Sequence, residues 1–71
     1  MESLTARQRE TLDYIVAFQK EHTFTPTLRE IAAHFGVSVG TIQDHNENLK
    51  KAGYLMWQHG KPRTFTFPRG A

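Results

Sequence analysis

The chain has 71 residues, 38% of them hydrophobic, enough for one small core near the lower size limit of a domain that is stable alone. The absence of cysteine excludes a disulfide framework and a thiolate metal site, and no apolar run approaches the roughly 20 residues that span a membrane. The net charge of +2 is unevenly spread: residues 1–47 carry seven acids against four bases, whereas residues 48–71 carry five bases and no acid.

A one-sided basic end is what a polyanionic partner selects, although a solvated basic tail has the same composition. The N-terminus begins at Met1 and lacks the apolar block of a signal peptide, so a natural start and a soluble cytoplasmic protein are expected.

Thr5 is suited to cap a first helix, with Gln8 at capping-box spacing. Gln8, Leu12, Ile15, Val16 and Gln19 share one helical face, Tyr14 and Phe18 widen it, and Arg9, Asp13, Lys20 and Glu21 fall mostly elsewhere. This helix is expected to reach His22 and to be structural. Pro26 then forbids a continuous helical ladder and biases Thr25 toward extended backbone.

Thr27 caps a second helix, again with an acceptor, Glu30, at capping-box spacing. Leu28, Ile31, Ala32 and Phe35 form its buried stripe, and Gly36 stands where a helix C-terminus favours a left-handed residue. Arg29 lies on the exposed side, equally available to a phosphate, a neighbouring acid or solvent.

Val37 and Ser38 form a tight turn, and Ser38 caps a third helix in which Ile42, Leu49, Val39 and Ala52 point inward. Opposite Ile42 lie Asp44, Glu47 and Lys51, flanked by Gly40, Gln43 and Asn48. Two short amphipathic helices joined by a tight turn are the pattern of a helix-turn-helix, which sets the N-terminal part of its second helix against base edges in the major groove. Candidate DNA-facing residues on this helix are Ser38, Val39, Gly40, Thr41, Gln43, Asp44, Glu47, Asn48 and Lys51. Gln43 suits a bidentate contact to adenine, and Asp44 or Glu47 can accept from a cytosine amine. An ordinary solvated helix face would use the same residues.

Asn46 breaks the pattern. It lies about 40° from the centre of the buried stripe, where Leu is expected. Either its amide bonds into the preceding turn, or the position is solvated, or the substitution weakens the domain.

Gly53 ends the third helix. Residues 54–59 and 63–67 are two β-prone runs around His59-Gly60-Lys61-Pro62, which predicts a hairpin whose Phe65 and Phe67 cover the helices and whose tip exposes Lys61 and Arg63. The expected fold is mainly α with a small β-hairpin, a three-helix winged helix-turn-helix over residues 1–67, with 68–71 a disordered tail or the start of a linker. Thr27, Arg29, Lys61 and Arg63 are the candidate contacts to the DNA backbone or minor groove.

Four segments carry a resemblance: Leu4-Thr5-Ala6-Arg7-Gln8, Thr25-Pro26-Thr27-Leu28-Arg29-Glu30-Ile31-Ala32, Leu49-Lys50-Lys51-Ala52-Gly53-Tyr54-Leu55 and Lys61-Pro62-Arg63-Thr64-Phe65. In this order they resemble the N-terminal DNA-binding domain of the LexA family of bacterial SOS repressors. The resemblance implies a third helix that reads the major groove of an operator, a wing on backbone and minor groove, and two copies on a palindromic duplex. It further implies a DNA-damage-responsive transcriptional repressor in the bacterial cytoplasm, associated with the nucleoid. The chain departs from the family at Asn46, where Leu is usual, and at Val37-Ser38-Val39-Gly40-Thr41, so the operator sequence does not carry over. The family's C-terminal domain, which supplies most of the dimerisation and a Ser–Lys self-cleavage site, is not expected within these 71 residues.

Other chemistry finds little support. His22, His34, His45 and His59 lack metal-ligand spacing, although His34 and His45 can approach across the turn. Ser38 has no nucleophile motif, no Gly-rich phosphate loop is present, and Asp44 and Glu47 sit on a convex helix rather than in a cleft. Trp57 and the phenylalanines are read as packing. No enzyme, metal, cofactor, small-molecule ligand or membrane partner is expected. A winged helix used as a protein-interaction module remains the main alternative, because Asp44 and Glu47 repel phosphate unless a base amine meets them. Nonspecific binding through the basic hairpin alone is the other.

Overall fold

Helices form where the caps place them in the computed structural model, which describes residues 4–70. They are α1 (Ala6–His22), α2 (Leu28–Phe35) and α3 (Val39–Lys51). Both predicted capping boxes are closed. Thr5 Oγ1 accepts from Gln8 N at 3.2 Å while Gln8 Oε1 accepts from Thr5 N, and Thr27 and Glu30 repeat the exchange at 3.2 and 2.8 Å. Ser38 Oγ accepts from Thr41 N at 3.2 Å to open α3. Each bond satisfies a backbone amide that the first helical turn leaves without a partner.

The helix ends are equally local. Gly36 takes φ +68°, its amide bonds to Ala33 O and that of Val37 to Ala32 O, so two orphan carbonyls of α2 are satisfied. Gly53, at φ +83°, lets the amides of Gly53 and Tyr54 close the same pattern on Lys50 and Leu49 of α3. α1 does not wait for Pro26: Thr23 adopts φ 66° and its amide bonds to Gln19 O.

α3 packs against both α1 and α2. Leu12, Ile15, Ile31, Ala32, Ile42, Leu49, Leu55 and Phe65 form the core. Thr11, a polar residue on the inner side of α1, is fully buried; its hydroxyl donates to Arg7 O at 2.9 Å and lies 3.4 Å from His45 Nδ1. With that proton committed to Arg7, His45 Nδ1 is the donor of the second bond. The radius of gyration, 11.1 Å, is that of a compact domain of this length. No helix among the described residues is long and apolar enough to cross a membrane.

The expected hairpin is reduced, among the described residues, to one antiparallel bridge, in which Met56 and Thr66 exchange both backbone bonds at 3.0 and 2.8 Å. The physical reasons are visible next to it. Gln58 N bonds to the Thr64 side chain at 2.9 Å, Pro62 has no amide to offer, and Arg63 sits at φ 58°, off any strand geometry. Phe65 is nonetheless buried and Phe67 packs against the core, as their alternation with Thr64 and Thr66 implies. Beyond Phe67, Arg69 returns to α3: its guanidinium donates to Ala52 O at 3.1 Å and lies 4.5 Å above the Tyr54 ring. Ala71 lies outside the described residues.

Candidate nucleic-acid interface

The second and third helices are separated by residues 36–38 alone. This short link between two helices in contact is the pattern of a helix-turn-helix. α3 is held from beneath by Ile42 and Leu49, both fully buried, while Gly40, Gln43, Asp44, Glu47, Asn48 and Lys51 are exposed. Its 13 residues make a rod of about 20 Å. The major groove of B-DNA, about 12 Å wide, admits such a rod.

A cleft of about 960 Å³ runs between α3, the N-terminus of α2 and the arm formed by residues 57–65. Of the residues singled out from sequence, it brings together Val39, Gln43, Asp44 and Glu47 from α3, Thr27 and Arg29 from α2, and Lys61 and Arg63 from the arm. Ser38, Gly40, Thr41, Asn48 and Lys51 lie outside it, at the start of α3 and on its far flank. Ser38 and Thr41 share a 3.0 Å hydroxyl contact at the helix cap, which leaves Gly40 as a bare stretch of backbone on the exposed side.

Charge in the cleft is mixed. Among the described residues, Arg29, Lys51 and Lys61 have no carboxylate within ion-pair distance, and neither Asp44 nor Glu47 has a cation. Arg63 differs. Its two terminal nitrogens reach the two oxygens of Glu30 at 3.0 and 3.1 Å, and one of them also donates to Thr25 O at 3.1 Å. The Thr27 backbone amide and then the Arg63 guanidinium hold the Glu30 carboxyl below the usual carboxylate range. The sequence marks Glu30 as a capping residue but carries no sign of a partner 33 residues away. Trp57, Gln58 and His59 also line the cleft, and sequence reasoning had assigned none of them to it. Lys50, likewise unassigned, places its ammonium 5.3 Å from the centre of the Trp57 ring.

Asn46 forms part of the cleft wall from within. It is 2% exposed, and among the described residues neither Oδ1 nor Nδ2 has a hydrogen-bond partner. Of the three explanations left open by the sequence, solvation and a bond into the turn both fail on this geometry. An unmatched amide in the core remains.

His34 and His45 each meet a residue of α1. His34 stacks on Tyr14, with ring centres 4.1 Å apart, whereas His45 faces Thr11. Burial, and then the charges of Glu30 and Glu21, raise the Tyr14 phenol above its usual range.

Three helices with this turn, an exposed third helix and a neighbouring basic arm define a helix-turn-helix domain of the DNA-binding class. The family described as "LexA DNA binding domain" matches residues 1–64, and the chain belongs to that family. It is 44% identical over 68 residues to the LexA repressor 2 of Geobacter sulfurreducens, covering 93% of this chain and 33% of that protein. It is 48% identical over 68 residues to the LexA repressor of Citrifermentans bemidjiense, with the same coverage. The LexA repressor of Thermotoga neapolitana is 40% identical over 63 residues, covering 89% of this chain and 32% of that protein. The chain therefore spans about a third of the length of these relatives.

Proposed function

We propose that this chain is the sequence-specific duplex-DNA-binding domain of a LexA-like transcriptional repressor that acts in the bacterial DNA-damage (SOS) response, in the cytoplasm on nucleoid DNA. The observation that carries the reading is the exposed polar face of α3, set directly after a three-residue turn and held down by a buried apolar face. In this reading α3 enters the major groove with Ser38, Val39, Gly40, Thr41, Gln43 and Asp44 nearest the bases. Glu47, Asn48 and Lys51 follow along the groove wall. Gln43 is the best-suited base reader, since its amide can both donate to and accept from an adenine edge. Asp44 and Glu47 are tolerated where they accept from a cytosine amine, which turns their repulsion of phosphate into discrimination.

Thr27, Arg29 and Lys61 flank the cleft and suit phosphate contacts that fix register without reading sequence. The arm of residues 54–67 acts as the wing, with Lys61 at its tip toward the backbone or minor groove; Arg63 enters it in a different capacity, because its fork faces Glu30. Two copies are expected on a palindromic operator, each reading one half-site. That the relatives carry the name LexA repressor supports the role in repression.

Selection of bound duplexes from a random pool tests the proposal. Enrichment of one half-site motif, bound much more tightly than its scrambled version and with a steep salt dependence, is the expected result. Equal binding of all sequences would point to the basic arm alone, and no binding would favour the protein-interaction alternative that the unpaired Asp44 and Glu47 keep open.

A further inference from the structure

We propose that Arg63 is a positioning residue rather than a phosphate ligand: paired with Glu30, it clamps the wing onto the N-terminus of α2 and so sets the width of the cleft between wing and α3. This inference rests on duplex binding through that cleft.

The wing cannot owe its placement to a sheet. A single bridge, Met56 to Thr66, ties its two arms together. Leu55 and Phe65 root it in the core, and the polar contacts that join it to the helix-turn-helix centre on Arg63. Both terminal nitrogens engage Glu30 in a two-point fork, a third bond reaches Thr25 O, and the guanidinium carbon stands 4.7 Å over the Phe24 ring. Thr25 is itself buried, and its hydroxyl accepts from Phe65 N at 3.3 Å, so the anchor lies in the core rather than on a free loop.

The other end of the clamp is equally fixed. Glu30 Oε1 also accepts from the Thr27 backbone amide at 2.8 Å, which binds the carboxylate to the start of α2. The left-handed φ of 58° at Arg63, uncommon for a residue with a side chain, is where the wing turns back. A phosphate at Arg63 would meet Glu30 as well, so the pair presents almost no net charge. Lys61, exposed and without a carboxylate partner among the described residues, is the wing's cation left to meet a phosphate.

Clamp and phosphate contact make opposite predictions for Glu30→Gln. Gln still serves the capping box, so α2 keeps its start, but the charge that holds the fork is lost. If Arg63 were a phosphate ligand, removing the neighbouring acid should tighten DNA binding. As a clamp residue, Glu30 should weaken it when neutralised. Arg63→Lys separates the two further, since it keeps the charge and loses the two-point geometry.

The experiment has two arms on the full chain. In free protein, amide hydrogen exchange at Met56 and Thr66 should rise on the order of fivefold in Glu30→Gln, Arg63→Lys and Arg63→Gln alike, the upper end for a half-exposed pair. Exchange at Ile15 and Leu49, which needs the whole domain to open, should remain slower than at Met56 and Thr66 in every variant. On a duplex selected by the wild-type chain, Glu30→Gln and Arg63→Lys should each weaken binding by a similar factor without altering the salt slope. Tighter binding by Glu30→Gln, or retained affinity in Arg63→Lys with a slope lower by about one in Arg63→Gln, overturns the proposal. If the wild-type chain selects no duplex, the DNA reading falls, and the exchange arm judges the clamp alone: faster exchange supports it and unchanged exchange refutes it.

Discussion

Replacing Asn46 by Leu should stabilise the domain. The side chain is 2% exposed, and neither polar atom has a hydrogen-bond partner among the described residues. On the scale of protein substitutions, an unmatched buried amide costs about 1–3 kcal/mol. Leu removes that cost, favours the helix by a few tenths of a kcal/mol, and gains apolar burial of about 1.5–3 kcal/mol. Against this stands its larger volume, since overfilling a packed core costs about 1–3 kcal/mol. The balance is a gain of about 2 kcal/mol, or roughly 8–16 °C in Tm for a domain of this size. Thermal melts followed by circular dichroism, with urea unfolding as a second measure, give the answer. Asn46→Ala should stay within about 1 kcal/mol of wild type, because the relieved amide and the new cavity oppose each other. A lower Tm for Asn46→Leu, together with a large loss for Asn46→Ala, would mean that the amide is satisfied and the reasoning wrong.

Other expectations follow from the cleft. Gln43→Ala should relax base preference at one operator position by about 1–3 kcal/mol while leaving scrambled DNA unaffected, as measured by competition binding. Lys61→Gln should weaken all duplexes alike and lower the salt slope by about one. The depressed Glu30 carboxyl contributes stability that is present above the ordinary carboxylate pKa and lost as pH falls through its lower folded value. Unfolding midpoints measured from pH 5 downward should therefore fall less steeply with pH in Glu30→Gln than in wild type.

The helices were legible because their signals are short-range. Thr5 with Gln8, Thr27 with Glu30, and Ser38 all act within one turn, and each cap forms as its spacing implies. The apolar stripes that bury Ile31, Ile42 and Leu49 obey the same local geometry, and so does the misfit at Asn46. What escaped the sequence is what the tertiary fold decides. Nothing near Thr11 in the chain names the partner its hydroxyl meets on α3, His45. The runs at residues 54–59 and 63–67 have strand composition, yet Thr64 and Arg63 turn their hydrogen bonds elsewhere. Arg63 and Arg69 both read as free basic charges near a tip and a tail. The fold instead directs one to Glu30 and the other to the end of α3. No window of a few residues contains either partner.

The central claim is that α3 presents its outer face to the bases. Amide chemical-shift mapping of the 71-residue chain with its selected duplex tests it most directly. The largest changes should fall on residues 38–51 and around Lys61, with the α1 surface at Tyr14 and Phe18 silent. A duplex that left residues 38–51 unmoved while shifting that aromatic surface would contradict the account.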